Sequence, residues 1–482
     1  MRRGLGLATC FLFACADPAD PDGGVIPRVD GNLDSGATDG GNEPRDASDP
    51  NDAGLDAGAD TGAPDAGVID SGSGPGEWAE VYTAADTTFL QRLKIASNAR
   101  GDGALTFEIF NQHILASVYS VDRGSWTAAT PFQLAGSKLI QPTVALSPDG
   151  AVLLVWLEIL DSGASMKLRS AEYRAGVWAS PNDVATLTGD VSAGITDPLL
   201  LVNASGHAAI SFEQLEQGQR RNVVATRSGS SWALHPIPAA QGPARVALDD
   251  DGTLTAIWSG IGPNVRHQTF DFNGGGWSAE APLLSTPTLY PCGASGGCYA
   301  ISAGRTGPAV ALLWDGVGTF SGLGTTTAMI KNAGVWTEMS SGPLTVDTTL
   351  PRPLSDASGN AIALYQIGGA NPQLQSRRYE QAANTWQVAE SLPGMVTTEA
   401  VINGSGEVLV FGSAVGTGMT AVTTNRGGTW APPISMEDLA RCEPRTSVIA
   451  LADEGTAFLA QICNAPGGGF PLFVQARRFT IR

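Results

Sequence analysis

The chain has 482 residues and a formal net charge of -19, with 43% hydrophobic and 16% charged residues and 60 glycines. The acidity is uneven: residues 1–15 carry only Arg2 and Arg3, residues 16–77 hold 15 acidic against two basic side chains, and the rest retains about -8. The basic doublets Arg220/Arg221, Arg377/Arg378 and Arg477/Arg478 lie far apart, so no nucleic-acid partner is expected, since phosphate binding needs a concentrated basic face.

Arg2 and Arg3 precede an apolar stretch, Gly4 to Ala14, that is too short to span a bilayer and reads as an export signal over residues 1–15. Within it, Leu12-Phe13-Ala14-Cys15 resembles the lipobox of bacterial lipoproteins. The resemblance implies cleavage before Cys15, lipid on that residue and a membrane anchor. Ala16 in place of Asp points to the outer membrane of a bacterial envelope; an ordinary signal peptide cut elsewhere is the alternative. Residues 16–76 follow as a spacer of Asp, Gly, Ala and Pro with almost no aromatics. So little apolar surface does not offset the entropy of ordering a chain, and a disordered, extended tether is expected. Asp49, Asn51 and Gly54 match a calcium loop only in part, because Ala53 takes a ligand position.

From residue 77 to 482 a small turn with glycine followed by an apolar run recurs eight times, at Gly103, Gly150, Gly206, Gly252, Gly307, Gly359, Gly406 and Gly455, at intervals of 46 to 56 residues. Each copy reads as strand, tight turn, strand. About 25 residues after each of the first seven glycines comes a tryptophan: Trp126, Trp178, Trp232, Trp277, Trp336, Trp386 and Trp430. A third strand precedes it, as in Leu168 to Tyr173 and Val474 to Phe479, and the Trp opens a fourth. A four-stranded unit of this length is a propeller blade. Non-alternating runs such as Ala151 to Trp156 fit strands covered on both faces. The eighth unit lacks its fourth strand, and Glu77 to Tyr82 is a fourth strand with no blade before it. The expected fold is therefore an all-β propeller of about eight four-stranded blades, closed by an N-terminal strand. Seven blades stay open if the unit around Cys292 and Cys298 is degenerate.

Cys292 and Cys298 flank five small residues, while Cys442 and Cys463 lie almost symmetrically about the turn at Gly455, so two local disulfides are expected in an oxidising compartment. Thr423-Thr-Asn425-Arg-Gly427-Gly-Thr-Trp430 resembles the Asp-box of sialidase-type propellers, with Asn for the usual Asp. In that family the box is structural, so the resemblance implies a turn ending in a core Trp and brings no active site.

Candidate chemistry is sparse. His113, His207, His235 and His267 fall at unlike repeat positions, so neither a metal nor any other cofactor is expected. Gly293 to Gly297 matches GxSxG by coincidence, since no strand-to-helix elbow surrounds it and no His follows His267. The recurrent Trp set invites a carbohydrate-stacking reading, but its regularity points to blade packing. Arg92, Arg245, Arg352 and Arg445 each precede or open a first strand, the strand that lines a propeller's channel. They are the candidate ligand-binding residues, suited to carboxylates through the bidentate guanidinium; solvated rim arginines are the plain alternative. No catalytic set is assigned. The expected function is a non-enzymatic envelope binding module for a glycan or protein partner. A glycan-active hydrolase or lyase on the same fold and a scaffold in an envelope complex are the alternatives.

Overall fold

The computed structural model describes residues 69–70, 79–83 and 89–481 apart from several connecting segments, the longer ones being 189–197, 284–298 and 315–323. Residues 62–482 form one compact unit; residues 1–61 lie outside the described residues. Among the described residues every regular element is a strand, and the strands form eight antiparallel sheets. The first strands are Leu90–Ser97, Lys138–Leu146, Leu199–Val202, Arg245–Leu248, Tyr299–Ala303, Arg352–Ser355, Met395–Ile402 and Glu443–Leu451. Each touches the first strand of the next sheet, and Glu443–Leu451 returns to Leu90–Ser97. The circuit closes, so the sheets are the blades of an eight-bladed β-propeller numbered here in chain order. The unit after Cys292 and Cys298 forms a full blade 5, which settles the count at eight.

The closure has the expected form. Ala79–Thr83 pairs with Leu472–Ile481, the third strand of blade 8, through Ala79↔Ala476 and Thr83↔Phe473. An earlier piece, Ile69–Asp70, lies within the segment that composition assigns to the spacer, yet it pairs with Ile481 and Thr480 of the same strand. Seven of the eight blades build the fourth strand from two short pieces, as Ser125–Trp126 and Thr130–Phe132 do against His113–Ser120. Blade 8 repeats this with residues from the other end of the chain, and its outer edge is paired rather than open.

Second strands carry the core. Gly103–Ile109 and Thr456–Asn464 are buried along their whole length, as is Val152 to Glu158, because each lies between two neighbouring blades. This is why their apolar runs do not alternate. Blade contacts are aromatic at several seams: Trp126 and Tyr119 of blade 1 meet Phe458 of blade 8, and Trp178 of blade 2 meets Phe132 of blade 1 edge-on. The recurrent Trp residues pack in these layers, half-buried except for the buried Trp386. Two anchor to the preceding blade, Trp232 Nε1 donating to Ser170 Oγ at 3.0 Å and Trp430 Nε1 to Ser376 Oγ at 2.7 Å. Among the described side chains the fully buried tryptophans are others, Trp156 and Trp258 on second strands.

The first-to-second-strand turns of blades 1, 3, 4, 6 and 7 share one design, while Gly307, the expected turn glycine of blade 5, lies outside the described residues. Gly206 and Gly406 sit at φ of +81° and +82°, and their N–H groups donate back to the carbonyls of Asn203 and Asn403. In blade 1 the turn glycine is Gly101 (φ +84°), not Gly103. Gly103 opens the second strand instead, where a Cβ would stand 3.1 Å from the Phe458 ring, so two glycines two residues apart have different duties. The residue that opens the turn caps it: Oδ1 of Asn98, Asn203, Asp249, Asp356 and Asn403 accepts the N–H four residues on, at 2.7–3.0 Å. The three asparagines also reach the next blade. Nδ2 donates from Asn98 to the Ser147 carbonyl, from Asn203 to that of Asp249 and from Asn403 to that of Ala452.

Asn403 is 4% exposed, so Asn403→Ala removes buried bonds in its own turn and across the seam; it should cost about 1–3 kcal/mol, read as a lowered Tm. Deleting residues 1–83 should leave the strand Leu472–Ile481 unpaired on its outer side. The expected result is a lower Tm and concentration-dependent association, whereas deleting residues 1–68 alone should change neither.

Candidate functional site

The register places the start of every first strand on one face of the ring, here the mouth face, and the capped turns on the other. The eight first strands contain Arg92, Lys94, Lys138, Arg245, Arg352 and Arg445 against only Glu399 and Glu443. All eight charges precede the last turn-facing residues of their strands. The centre of an acidic domain thus carries a basic mouth.

Local backbone explains why the four candidate arginines differ in spacing. Arg245 and Arg352 open regular strands at matching positions, opposite Ile257 and Leu364. Arg92 and Arg445 sit in β-bulges, where the register slips between Gln91 and Lys94 and between Pro444 and Thr446. A third bulge spans Ile140 to Thr143 in blade 2. Arg92 (φ +53°) and Gln141 (φ +54°) both adopt the left-handed conformation, which is uncommon for side-chain-bearing residues and must be held in place.

Glu108 does the holding. It is 1% exposed on the second strand of blade 1. Its Oε1 accepts from Gln91 Nε2 at 2.6 Å, and its Oε2 accepts the Gln141 N–H at 3.0 Å and lies 3.5 Å from Arg92 Nε. One buried carboxylate therefore clasps both strained residues and ties blade 1 to blade 2. In blade 2, buried Glu158 accepts from Ser137 Oγ (2.8 Å) and Arg169 Nε (2.6 Å), and Arg169 also pairs with Asp183 at 3.1 Å.

The first strand of blade 7 carries Glu399, a residue that sequence reading missed. Burial pushes the Glu399 carboxyl above the ordinary carboxylate range, opposed by the Ile449 N–H that it accepts (3.3 Å) and by the charges of Arg352 and Lys94. Arg352, Glu399 and Lys94 stand on the first strands of blades 6, 7 and 1, and the Glu399 carboxylate reaches the first strand of blade 8 at Ile449. The only sequence signal for Glu399 is a charged residue in the middle of an otherwise uncharged first strand. Arg92 and Arg245 are exposed and Arg352 is partly buried; Arg445 is placed only as a strand residue.

Other sequence candidates fall elsewhere. The histidines are spread over blades 1, 3 and 4. Cys463 is fully buried opposite Pro444. Cys15, Cys292, Cys298 and Cys442 lie outside the described residues, as do the calcium-like and GxSxG segments. The Asn425 to Trp430 segment is a third-to-fourth-strand hairpin, with Asn425 2% exposed and accepting from Arg378 of the neighbouring blade at 2.8 Å.

A second polar cluster lies between blades 4 and 5 on the turn face. Lys331 is 7% exposed and donates from Nζ to Thr255 Oγ1 at 2.9 Å. Burial, reinforced by a hydrogen bond to Asp251 and its charge, pushes Asp249 up to about 8. Burial, with the Lys331 charge, lowers His267 to about 4. This is a seam rather than a ligand site.

No protein-family model matches the chain, and no curated protein matches it in sequence. Solved structures similar to it include the β-propeller domain of the Trilobed protease from Pyrococcus furiosus, at 12% identity and TM-score 0.44 over 71% of this chain and 97% of that one. A Penicillium chrysogenum α-L-arabinanase complexed with arabinobiose is similar at 10% identity and TM-score 0.38, over 83% and 97% of the two chains. The polysaccharide lyase Uly1 is similar at 10% identity and TM-score 0.43, over 81% and 89%.

Two predictions follow from these clusters. Glu108→Gln keeps the volume but loses the charge that holds Arg92; it should cost about 1–3 kcal/mol and lower Tm. Asp249 in the folded state keeps its proton to higher pH than in the unfolded chain, so its contribution is present below pH 4 and is lost as pH rises towards about 8. Asp249→Asn, the residue found at the same turn position in blades 1, 3 and 7, should raise Tm above wild type at pH 8–9 and leave it nearly unchanged at pH 4.

Proposed function

We propose that the chain is an exported lipoprotein of a bacterial envelope, anchored through Cys15, whose propeller binds an acidic polymer, foremost an acidic glycan, at its mouth without transforming it. The observation that carries this reading is the mouth's charge: six basic against two acidic residues in the eight innermost strands of a domain that is otherwise net acidic. Clustered basic side chains draw anions and fix them through charge-assisted bonds. Carboxylates near the mouth are engaged in structure, Glu108 and Glu158 as clasps, which suits binding better than hydrolysis. The outer-membrane location rests on the N-terminal pattern. The Cys442–Cys463 bridge is proposed because Cys442 adjoins Glu443, whose cross-strand partner Asn464 adjoins Cys463; the Cys292–Cys298 bridge rests on spacing alone.

A hydrolase or lyase on the same fold is the second reading, and the observation that favours it is Glu399. A half-buried carboxyl whose protonation burial favours, with the charges of Arg352 and Lys94 acting on it, is a candidate general acid. One experiment separates the two: incubate the full chain with polygalacturonate, measuring binding by calorimetry and the release of reducing or unsaturated ends. The binding reading predicts saturable, salt-sensitive affinity without product, weakened about tenfold in Arg352→Gln. Product formation abolished in Glu399→Gln would establish the enzyme reading instead. The absence of binding to any polyanion would remove the proposed function.

A further inference from the structure

Resting on the reading of the mouth as the binding face, a second set of observations marks out one part of it. Among the described residues only seven large hydrophobic side chains are exposed, and the two aromatic ones are Phe89 and Phe110, at 54% and 50%. They are neighbours. Leu90, which opens its strand, pairs with Ile109, which ends its own, and one step further out the Phe110 N–H donates to the Phe89 carbonyl at 2.9 Å. Residues directly opposite each other on an antiparallel pair project to the same side, so the two rings form one ledge at the mouth end of blade 1.

The ledge has basic neighbours. The loop that follows Phe110 is tied to blade 2, the Leu139 N–H donating to the Gln112 carbonyl at 3.3 Å, and this sets exposed Lys138 beside exposed Gln112. On the same first strand as the ledge come exposed Arg92 and Lys94, with Arg92 aimed by its bulge and by Glu108. The clasp is formed within the protein, so the guanidinium is positioned before any ligand arrives, and the backbone bond between Phe110 and Phe89 sets the two rings side by side.

We propose that the mouth edge of blades 1 and 2 is a subsite for one acidic sugar ring, a pyranose bearing a carboxylate, stacked by its C–H face on Phe89 and Phe110 with its charge toward Arg92 and Lys138. Aromatic faces offer apolar contact to the ring and leave its hydroxyls wet, while the cations select the charged member of the chain. A protein partner fits less well. Two rings bounded by Gln112, Lys138, Arg92 and Lys94 fall far short of the roughly 800 Å² per side that a standard protein interface buries.

The test is calorimetric titration of the full chain with oligogalacturonate, neutral dextran and poly-L-glutamate, in wild type, Phe89→Ala/Phe110→Ala and Arg352→Gln. Both phenylalanines are half-exposed, so the double variant should keep the wild-type Tm. The expected result is oligogalacturonate binding in wild type, loss of about tenfold or more in the double variant, and no comparable affinity for dextran or polyglutamate. A double variant that binds like wild type while Arg352→Gln is weakened would overturn the subsite and leave the basic mouth intact. Dextran binding as tight as oligogalacturonate would overturn the acidic class. Polyglutamate binding of equal strength, equally lost with the rings, would make the occupant an acidic peptide. If wild type binds no acidic polymer, subsite and mouth reading fall together.

Discussion

A sheet with an unpaired edge invites another strand, and a ring of eight sheets removes that hazard only if the last blade is completed. Here the completion joins the two ends of the folded unit: Ala79–Thr83 and Ile69–Asp70 lie along Leu472–Ile481. Everything else in the molecule depends on that pairing. It lets each second strand be buried between two neighbours, including Thr456–Asn464 of the last blade against blade 1, where Phe458 meets Trp126 and Tyr119. The same pairing carries the chain from the turn face, at the level of Thr480, to the mouth face, at the level of Phe473. The chain therefore enters the ring on the face opposite the basic residues.

The two faces are stabilised by different devices. On the turn face an asparagine cap closes its own turn and donates to the next blade, and the device recurs wherever Asn occupies that place. Asp249 shows what its absence costs. A carboxylate can accept the Thr253 N–H but has no amide to donate, and crowded by Asp251 it holds a proton instead. On the mouth face bulges aim side chains toward the centre, and buried carboxylates hold the bulges. Arg92 and Gln141 keep an uncommon backbone conformation because one acid, Glu108, satisfies both. Backbone strain of this kind concentrates where side chains are aimed for a purpose, and here it lies among the basic residues of the mouth.

Much of the architecture was legible before the structure, because blades repeat. Turn glycines, the recurrent Trp and the third-strand phrases report local hairpins, and a fourth strand misplaced to the N-terminus reports closure. The misreading of Gly103 for Gly101 has a plain cause. Both are glycines near one turn, one required by a positive φ and the other by the Phe458 ring packed on it, and sequence does not separate those reasons. The candidate site was only half visible. Arginines at strand starts could be counted, but the bulges that shift Arg92 and Arg445 depend on which second-strand residue is skipped. Glu108 carries no mark of its own in the sequence, and Glu399 acquires meaning only once the fold puts it within reach of the charges of Arg352 and Lys94 from other blades. Phe89 and Phe110, twenty-one residues apart, become a pair only through the register of blade 1.

Hydrogen–deuterium exchange of the full chain with and without oligogalacturonate tests the central claim, that the innermost strands of the mouth face are the binding surface. The account predicts slowed exchange in residues 89–94, 110–112, 138–143 and 352–355, with the capped turns at Asn98, Asn203 and Asn403 unchanged. Protection centred on those turns, or on the outer strands at Trp386 and Trp430, would contradict it.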